Sequence, residues 1–274
     1  MRGRRTALAN TAGVLVTLVM IFPVYWMVLT ALKPPGEVLN LTPRFWPSHL
    51  SLTSFRKAVG SPHFWDAVRN SLVVAGSVTL IALSVAFLAA VAIARFRFYG
   101  RRAFIFAIVV VQMVPLNAMI IPIYLLLNQA NQVNKLSGVV LTYLTFVLPF
   151  TVWTLRGFVV NVPAELEEAA MVDGCTRTQA FRRIVLPLVF PGLVATSVYA
   201  LIQSWNEYIM AYVLLNDQSK ETLPVWLVSF VTGRGVDFGP LMAGATLMSL
   251  PVVLFFVLIQ RHVVSGLTAG AVKG

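Results

Sequence analysis

The sequence predicts an all-α, polytopic membrane protein with six transmembrane helices, and three observations predict it. The chain of 274 residues is 58% hydrophobic and 11% charged, with a mean hydropathy of +0.81; a soluble core of this size does not call for so few charges. Six stretches without Asp, Glu, Lys or Arg reach the roughly 20 residues that cross hydrocarbon: 6–32, 70–94, 103–134, 136–155, 184–206 and 238–260. None alternates with period two over a strand-length repeat, which argues against a transmembrane barrel. Helices that satisfy their own backbone inside lipid are the simplest solution.

The first stretch follows Arg2, Arg4 and Arg5. It has the length of a full crossing, longer than a signal-peptide core, and no clear small-residue cleavage site follows, so a retained helix is expected. Lys33-Pro34-Pro35-Gly36 breaks it. The outer loop 33–69 carries Pro43, Pro47, Pro62, Trp46 and Trp65, a composition suited to an interfacial, partly ordered segment with short helical pieces. Asn70 and Ser71 are expected to begin the second helix, which ends at Arg95-Phe96-Arg97. The third contains Pro115 and Pro122, and proline inside a membrane helix loosens the hydrogen-bond ladder and allows a kink. Gln112 and Asn117 lie near the same section, where interhelical hydrogen bonding and the lining of a pathway both fit. A short polar turn spans 128–134. The fourth helix is expected to end near Arg156, and the fifth to start around Pro187 or Pro191 and run to Trp205-Asn206-Glu207. Within the outer loop 213–240, the charge-free run 222–233 is too short to span and suits a re-entrant or interfacial segment. The sixth helix is expected to finish before Arg261-His262. No internal repeat interrupts this reading, and residues 1–274 read as a single membrane domain.

The net charge of +11 has two readings, nucleic-acid binding and membrane topology. With the N-terminus inside, the cytoplasmic regions hold Arg2, Arg4 and Arg5; Arg95, Arg97, Arg101 and Arg102; Arg156, Arg177, Arg182 and Arg183; and Arg261 and Lys273. These are more than half of the 21 basic residues, so topology is the better reading and no nucleic-acid partner is expected. Cys175 is the only cysteine, which excludes an intrachain disulfide. His49, His63 and His262 form no close metal-ligand pair, and no Gly-x-Ser-x-Gly elbow is present, so an enzyme is not expected. No Gly-x-x-x-x-Gly-Lys-Ser/Thr loop is available to bind ATP.

The most informative segment is the charged insert at about 158–187. Val162-Pro163-Ala164-Glu165 has the chemistry of a helix start, with proline at the first helical position and Glu165, Glu167 and Glu168 near the positive end of the dipole. Gly174 suits the end of that helix because glycine accepts a left-handed backbone cheaply. Thr176 and Gln179 form a capping-box pattern for a second short helix. Ala169 and Ala170 permit close approach by another surface, Glu168 adds a charge near them, and Met171 and Phe181 add apolar contact. A helix, a sharp turn and a second helix are expected on the cytoplasmic face.

Glu168-Ala169-Ala170, Gly174 and Ile184-Val185-Leu186-Pro187, at this spacing, resemble the signature loop of type I ABC importer permeases. Ser204-Trp205-Asn206-Glu207-Tyr208, Thr222-Leu223-Pro224-Val225 and the tail from Gly266 to Gly274 resemble carbohydrate importers of the maltose-transporter type, and the likeness to the smaller, six-helix permease extends over essentially the whole chain. The resemblance implies a type I ABC importer transmembrane domain with both termini cytoplasmic, in a bacterial or archaeal plasma membrane. It implies a heterodimer with a second homologous permease, two cytoplasmic ATPase subunits, and an extracytoplasmic sugar-binding protein. ATP and Mg belong to the ATPase partners, and this chain needs no cofactor. Glu168, Ala169, Ala170, Asp173, Gly174, Phe181, Ile184, Leu186 and Pro187 are the implied ATPase-coupling residues, and Gly266, Leu267 and Thr268 the implied tail contact. Trp205, Asn206 and Glu207 fit either a pathway or binding-protein contact or an interfacial anchor, and in the resembling maltose system the partner permease carries most sugar contacts. An ion-coupled secondary transporter and an ABC permease for a non-sugar solute are the alternatives; the first is disfavoured because the spans hold little ionisable chemistry beyond Glu207.

Overall fold

The structure is a computed structural model that describes residues 2–40, 42, 44–233 and 235–271, with side chains described at 6, 9–40, 42, 44–233 and 235–260. Pro43, Arg234 and Lys273, and the side chains of Arg2, Arg4, Arg5, Arg261 and His262, therefore lie outside the described residues.

In chain order the helices are α1 (Arg2–Leu32), α2 (Pro35–Val38), α3 (Thr53–Val59), α4 (Phe64–Arg95), α5 (Arg101–Gln112), α6 (Ile120–Gln129), α7 (Leu136–Val160), α8 (Ala164–Val172), α9 (Arg177–Ala180), α10 (Leu186–Asn206), α11 (Ile209–Leu214), α12 (Leu223–Leu227) and α13 (Phe238–Ala271). A small antiparallel hairpin, β1 (Val231–Thr232) and β2 (Gly235–Val236), pairs Val231 with Val236 and Thr232 with Gly235. Among the described residues, Ala9–Leu32, Phe64–Arg95, Leu136–Val160, Arg177–Asn206 and Phe238–Gln260 are long and apolar enough to cross a membrane.

The third span departs from expectation. Instead of one kinked helix within 103–134 ahead of the polar turn, Arg101–Gln112 and Leu116–Gln129 meet at 95°. Pro115 sits between them with extended backbone (φ −67°, ψ 124°). It has no N–H to continue the ladder, and it biases the residue before it away from helical geometry. Pro122 lies in the first turn of α6, where its missing donor is tolerated. Four smaller boundaries also move. The second span starts at Phe64 rather than Asn70, with Asp66 in its first turn at the positive end of the dipole. The fourth continues past Arg156 to Val160. The fifth is already helical from Arg177. The sixth continues in backbone past Arg261. The hairpin has no counterpart in the sequence reading.

The chain divides into two compact units, 1–65 with 226–251, and 66–225 with 252–274. The larger unit is built on α7, whose window is 56% buried, against 6% for α1. Val74, Val78, Ala82, Ala86 and Ala90 recur every four residues on α4 and are all buried. Small residues at this spacing let membrane helices approach closely. The Val74 end of the stripe packs with Val139, Tyr143 and Val147 of α7, Ala200 of α10, and Met210 and Leu214 of α11. The Ala90 end packs with Leu155 and Val159 of α7 and Val185 and Val189. Gly192 of α10 belongs to the same economy of space, since a Cβ there would lie 2.5 Å from the Phe158 ring of α7. Buried Thr142, Thr151 and Thr196 donate to carbonyls one turn back (2.9, 2.7 and 2.8 Å), which satisfies their hydroxyls without a partner helix.

In the smaller unit, the loop after α1 holds the short helices α2 and α3, and Trp46 and Trp65 are exposed. Trp226 Nε1–H donates to the Pro62 carbonyl at 3.2 Å, and its ring contacts Phe64 and Phe230 at centroid distances of 5.0 and 5.2 Å. The run 222–233 forms no span; it is α12, a 3₁₀ turn over Val228–Phe230 and the start of the hairpin.

Candidate functional site: the capped helical insert between α7 and α10

Pro163 stands just outside α8 with extended backbone (φ −59°, ψ 133°), so the helix starts one residue later than expected. Glu165 and Glu167 occupy its first turn, where the dipole favours carboxylates. At the other end Gly174 has φ +89°. The Gly174 N–H donates to the Met171 carbonyl at 3.1 Å, and Cys175 N–H to the Ala170 carbonyl at 2.9 Å. This nested pair of bonds is a Schellman stop, and a side chain at Gly174 would be strained in the left-handed region. Thr176 then caps α9: its hydroxyl accepts from Gln179 N–H at 3.3 Å, and the Gln179 side-chain carbonyl accepts from Thr176 N–H at 2.8 Å.

From α9 the chain does not pause. Phe181–Val185 form a π-turn, in which Leu186 N–H reaches back to the Phe181 carbonyl, and α10 continues directly. A widened turn accommodates the Pro187 ring, which in a regular α-helix clashes with the carbonyl four residues back. The insert is thus a capped pair of short helices whose second member is continuous with a membrane span.

The structure divides the nine residues for which the resemblance implies a coupling role into two sets. Glu168, Ala169, Asp173, Gly174 and Pro187 are exposed. Ala170, Phe181, Ile184 and Leu186 are half-buried. Phe181 turns back toward α4, with its ring 5.5 Å from that of Phe87. Behind α8 lies a cleft of about 420 Å³ lined by Arg95, Glu167, Glu168, Met171 and Phe181 among others.

Arg95 and Glu167 meet beside this cleft, a pairing absent from the sequence-based expectations. Arg95 Nη2 lies 2.7 Å from Glu167 Oε1 and donates to the Val162 carbonyl at 2.9 Å. The two side chains are 18% and 21% exposed, so the pair is shielded but reachable from solvent. The available signal was an arginine closing the apolar run of the second span and an acid on the first turn after Pro163.

The pathway candidates do not form one site. Gln112 ends α5 and lines a cavity of about 490 Å³ at the break in the third span, with Thr145, Phe146, Phe150 and Tyr199. Its amide donates back to the Ile108 carbonyl at 3.4 Å. Asn117 is exposed in the 3₁₀ turn of the break and is not among the residues lining that cavity. Trp205 is 2% exposed. Asn206 is exposed and donates to the Ile202 carbonyl at 3.0 Å. The Glu207 carboxylate accepts from the N–H groups of Met210 (2.9 Å) and Ala211 (3.2 Å), which caps α11. Gly266, Leu267 and Thr268 fall within the backbone of α13, and their side chains lie outside the described residues.

Comparison with known proteins follows the same outline. The family "Binding-protein-dependent transport system inner membrane component" matches residues 82–269. The chain is 45% identical over 265 residues to the diacetylchitobiose uptake system permease protein DasC of Streptomyces coelicolor, covering 97% of this chain and 96% of that one. It is 32% identical over 276 residues to the trehalose transport system permease protein SugB of Mycobacterium tuberculosis, covering all of both. Its fold matches a chain in the crystal structure of a bacterial ABC transporter involved in import of the acidic polysaccharide alginate, with a TM-score of 0.80 over 95% of this chain and 97% of that one, at 20% identity.

Proposed function

Because the chain belongs to the family of binding-protein-dependent transport system inner membrane components, we propose that it is one of two permease subunits of an ATP-driven sugar importer. The relatives named for diacetylchitobiose and trehalose support a sugar as the solute. In this reading the N- and C-termini and the insert 158–187 face the cytoplasm, in accord with the clusters of arginine around them. Two ATPase subunits hydrolyse ATP with Mg, a second permease completes the pathway, and an extracytoplasmic binding protein delivers the sugar to the loops 33–69 and 213–240. The whole chain, 1–274, acts as one transmembrane domain, and the tail at Gly266, Leu267 and Thr268 reaches toward the ATPase pair.

One observation carries this reading. The insert exposes Glu168 and Ala169 on a helix stopped by Gly174, while the capped α9 runs without interruption into α10. A surface that docks a partner on one side and is continuous with a membrane span on the other suits the conversion of a partner's movement into movement of the pathway. ATPase closure then rotates α10 and its neighbours, and the cavity beside Gln112 is the stretch of pathway this chain contributes.

The test is the transporter assembled with its ATPase subunits and binding protein. Glu168→Lys reverses the charge of the docking face, and Gly174→Val forces a β-branched residue into left-handed backbone. Both are expected to abolish sugar-stimulated ATP hydrolysis and transport. Full retention of both activities in both variants overturns the coupling role.

A further inference from the structure

We infer that Arg95 is a positioning residue of the coupling machinery: it ties α8 to the end of α4, so that displacement of α8 enters the membrane through α4 as well as through α10. The inference rests on the reading of the insert as the coupling element. The covalent routes from α8 run back through 161–163 into α7 and forward through α9 and the π-turn into α10. Arg95 supplies a route of a different kind, to a helix that is not joined to α8 in sequence.

The argument starts from what does not hold α8. The helix has no buried residue, and the cleft of about 420 Å³ lies along it. Apolar packing therefore does little to fix its position. By contrast Val185, just beyond α9, is buried with Ala86, Ala90 and Ile93 of α4. Across the cleft from α4 to α8, Arg95 Nη2 meets both the Val162 carbonyl, immediately before the helix, and the Glu167 carboxylate in its first turn. The bond holds the entry of α8, and the ion pair draws its first turn toward the end of α4. A guanidinium suits this task, because it stays charged and presents several fixed donors.

The opposite end of α4 gives the connection a destination. Asn70 and Ser71 hold the backbone of 219–223, the segment that leads into α12. Arg95 and Asn70 are separated by about 37 Å of helix at 1.5 Å rise per residue. A tilt imposed at Arg95 is therefore carried to the base of the segment 222–233.

A proposed route of this kind requires a measured coupling. The experiment uses the complete transporter in vesicles and compares wild type with Arg95→Gln, Glu167→Gln, the double variant and the exchanged pair Arg95→Glu with Glu167→Arg. Co-purification of the ATPase subunits reports assembly, and sugar moved per ATP hydrolysed reports coupling. Each single variant is expected to lower sugar per ATP by about tenfold while the ATPase subunits still co-purify, and the double to be no worse than the poorer single, as for residues acting as one unit. The exchanged pair is expected to recover part of the loss. Arg95→Lys, which keeps the charge, serves where Arg95→Gln does not accumulate, and is expected to fall between wild type and Glu167→Gln. Sugar per ATP within twofold of wild type in Glu167→Gln and in the available Arg95 variant, or single effects that multiply in the double, overturns the role of Arg95. Transport by the wild-type chain without ATP hydrolysis overturns the importer reading instead, so the two failures are distinct.

Discussion

At one end of α4, the neutral side chains of Asn70 and Ser71 hold residues 219–223; at the other, the charged side chain of Arg95 holds α8. Asn70 and Ser71 are 1% and 3% exposed. The Asn70 amide donates to the carbonyls of Ser219 and Glu221, both at 3.0 Å, and the Ser71 hydroxyl accepts from Leu223 N–H at 2.7 Å. The Arg95 contacts are similarly short, but they border an open cleft. Neutral bonds to part-buried carbonyls depend on one bonding geometry and are costly to leave unmade, whereas an ion pair beside a cleft is held by charge and tolerates a change of geometry. The Asn70 end has the chemistry of a fixed joint, and the Arg95 end that of a joint that moves.

Stability measurements give the sharpest way to break this contrast. Asn70→Leu leaves two part-buried carbonyls without their donor, at about 1–3 kcal/mol each. Arg95→Gln removes an ion pair at the edge of the cleft together with one part-buried carbonyl bond, at about 1–2 kcal/mol in all. Thermal unfolding of the purified chain is therefore expected to show the larger loss for Asn70→Leu, even though Arg95→Gln has the larger effect on sugar moved per ATP. The opposite ranking in thermal stability ends the distinction between fixed and moving joints.

A smaller effect separates the two residues of the fixed joint. Ser71→Ala removes a single acceptor from Leu223 N–H and is expected to cost about 1 kcal/mol. The bond links α4 directly to the first residue of α12, so amide exchange at Leu223 is expected to accelerate while exchange within α7 is unchanged. Equal acceleration throughout the larger unit indicates general loosening instead, and removes the special role of Ser71.

These joints were also the least legible parts of the sequence. Hydropathy located the spans because lipid imposes a length and an apolar composition on each. Local capping rules located Gly174, Thr176 and Gln179 because those bonds close within a few residues. In sequence Arg95 reads as the end of the second span and as one of the basic residues that set topology, since its partners Val162 and Glu167 lie far along the chain. Asn70 was read as a helix start for the same reason: its partners lie about 150 residues away, at Ser219 and Glu221. The break at Pro115 is an intermediate case, because a proline announces a weakened ladder but not whether the chain kinks or turns through 95°. Trp205-Asn206-Glu207 read as a unit and separates in the fold, because adjacent residues on a helix point to different surroundings: Trp205 is buried, Asn206 exposed, and Glu207 serves as a cap.

The smallest expected effect concerns Asp217, a titratable group beside the fixed joint. Asp217 Oδ1 accepts from the Ser219 hydroxyl at 2.7 Å and from Ser219 N–H at 3.0 Å. The Ser219 side-chain and backbone bonds hold its carboxyl below the ordinary value of 3.8, with Lys220 adding to the same direction. A carboxyl lowered in the folded state contributes stability that is present above its unfolded value and lost as pH falls through its folded value. The turn 217–221 is therefore expected to keep constant exchange protection from neutral pH down to about pH 5, and to lose part of it only below about pH 4. Asn70 carries no titrating group, so its bonds to Ser219 and Glu221 persist through that change. Amide exchange at Ser219, corrected for the intrinsic rate and compared with Asp217→Asn, measures the difference. Protection that stays constant to about pH 3 in the wild-type chain means that Asn70 alone fixes the segment. A collapse of protection along all of 219–223 means that the joint depends on Asp217, and that it is less fixed than its buried amide implies.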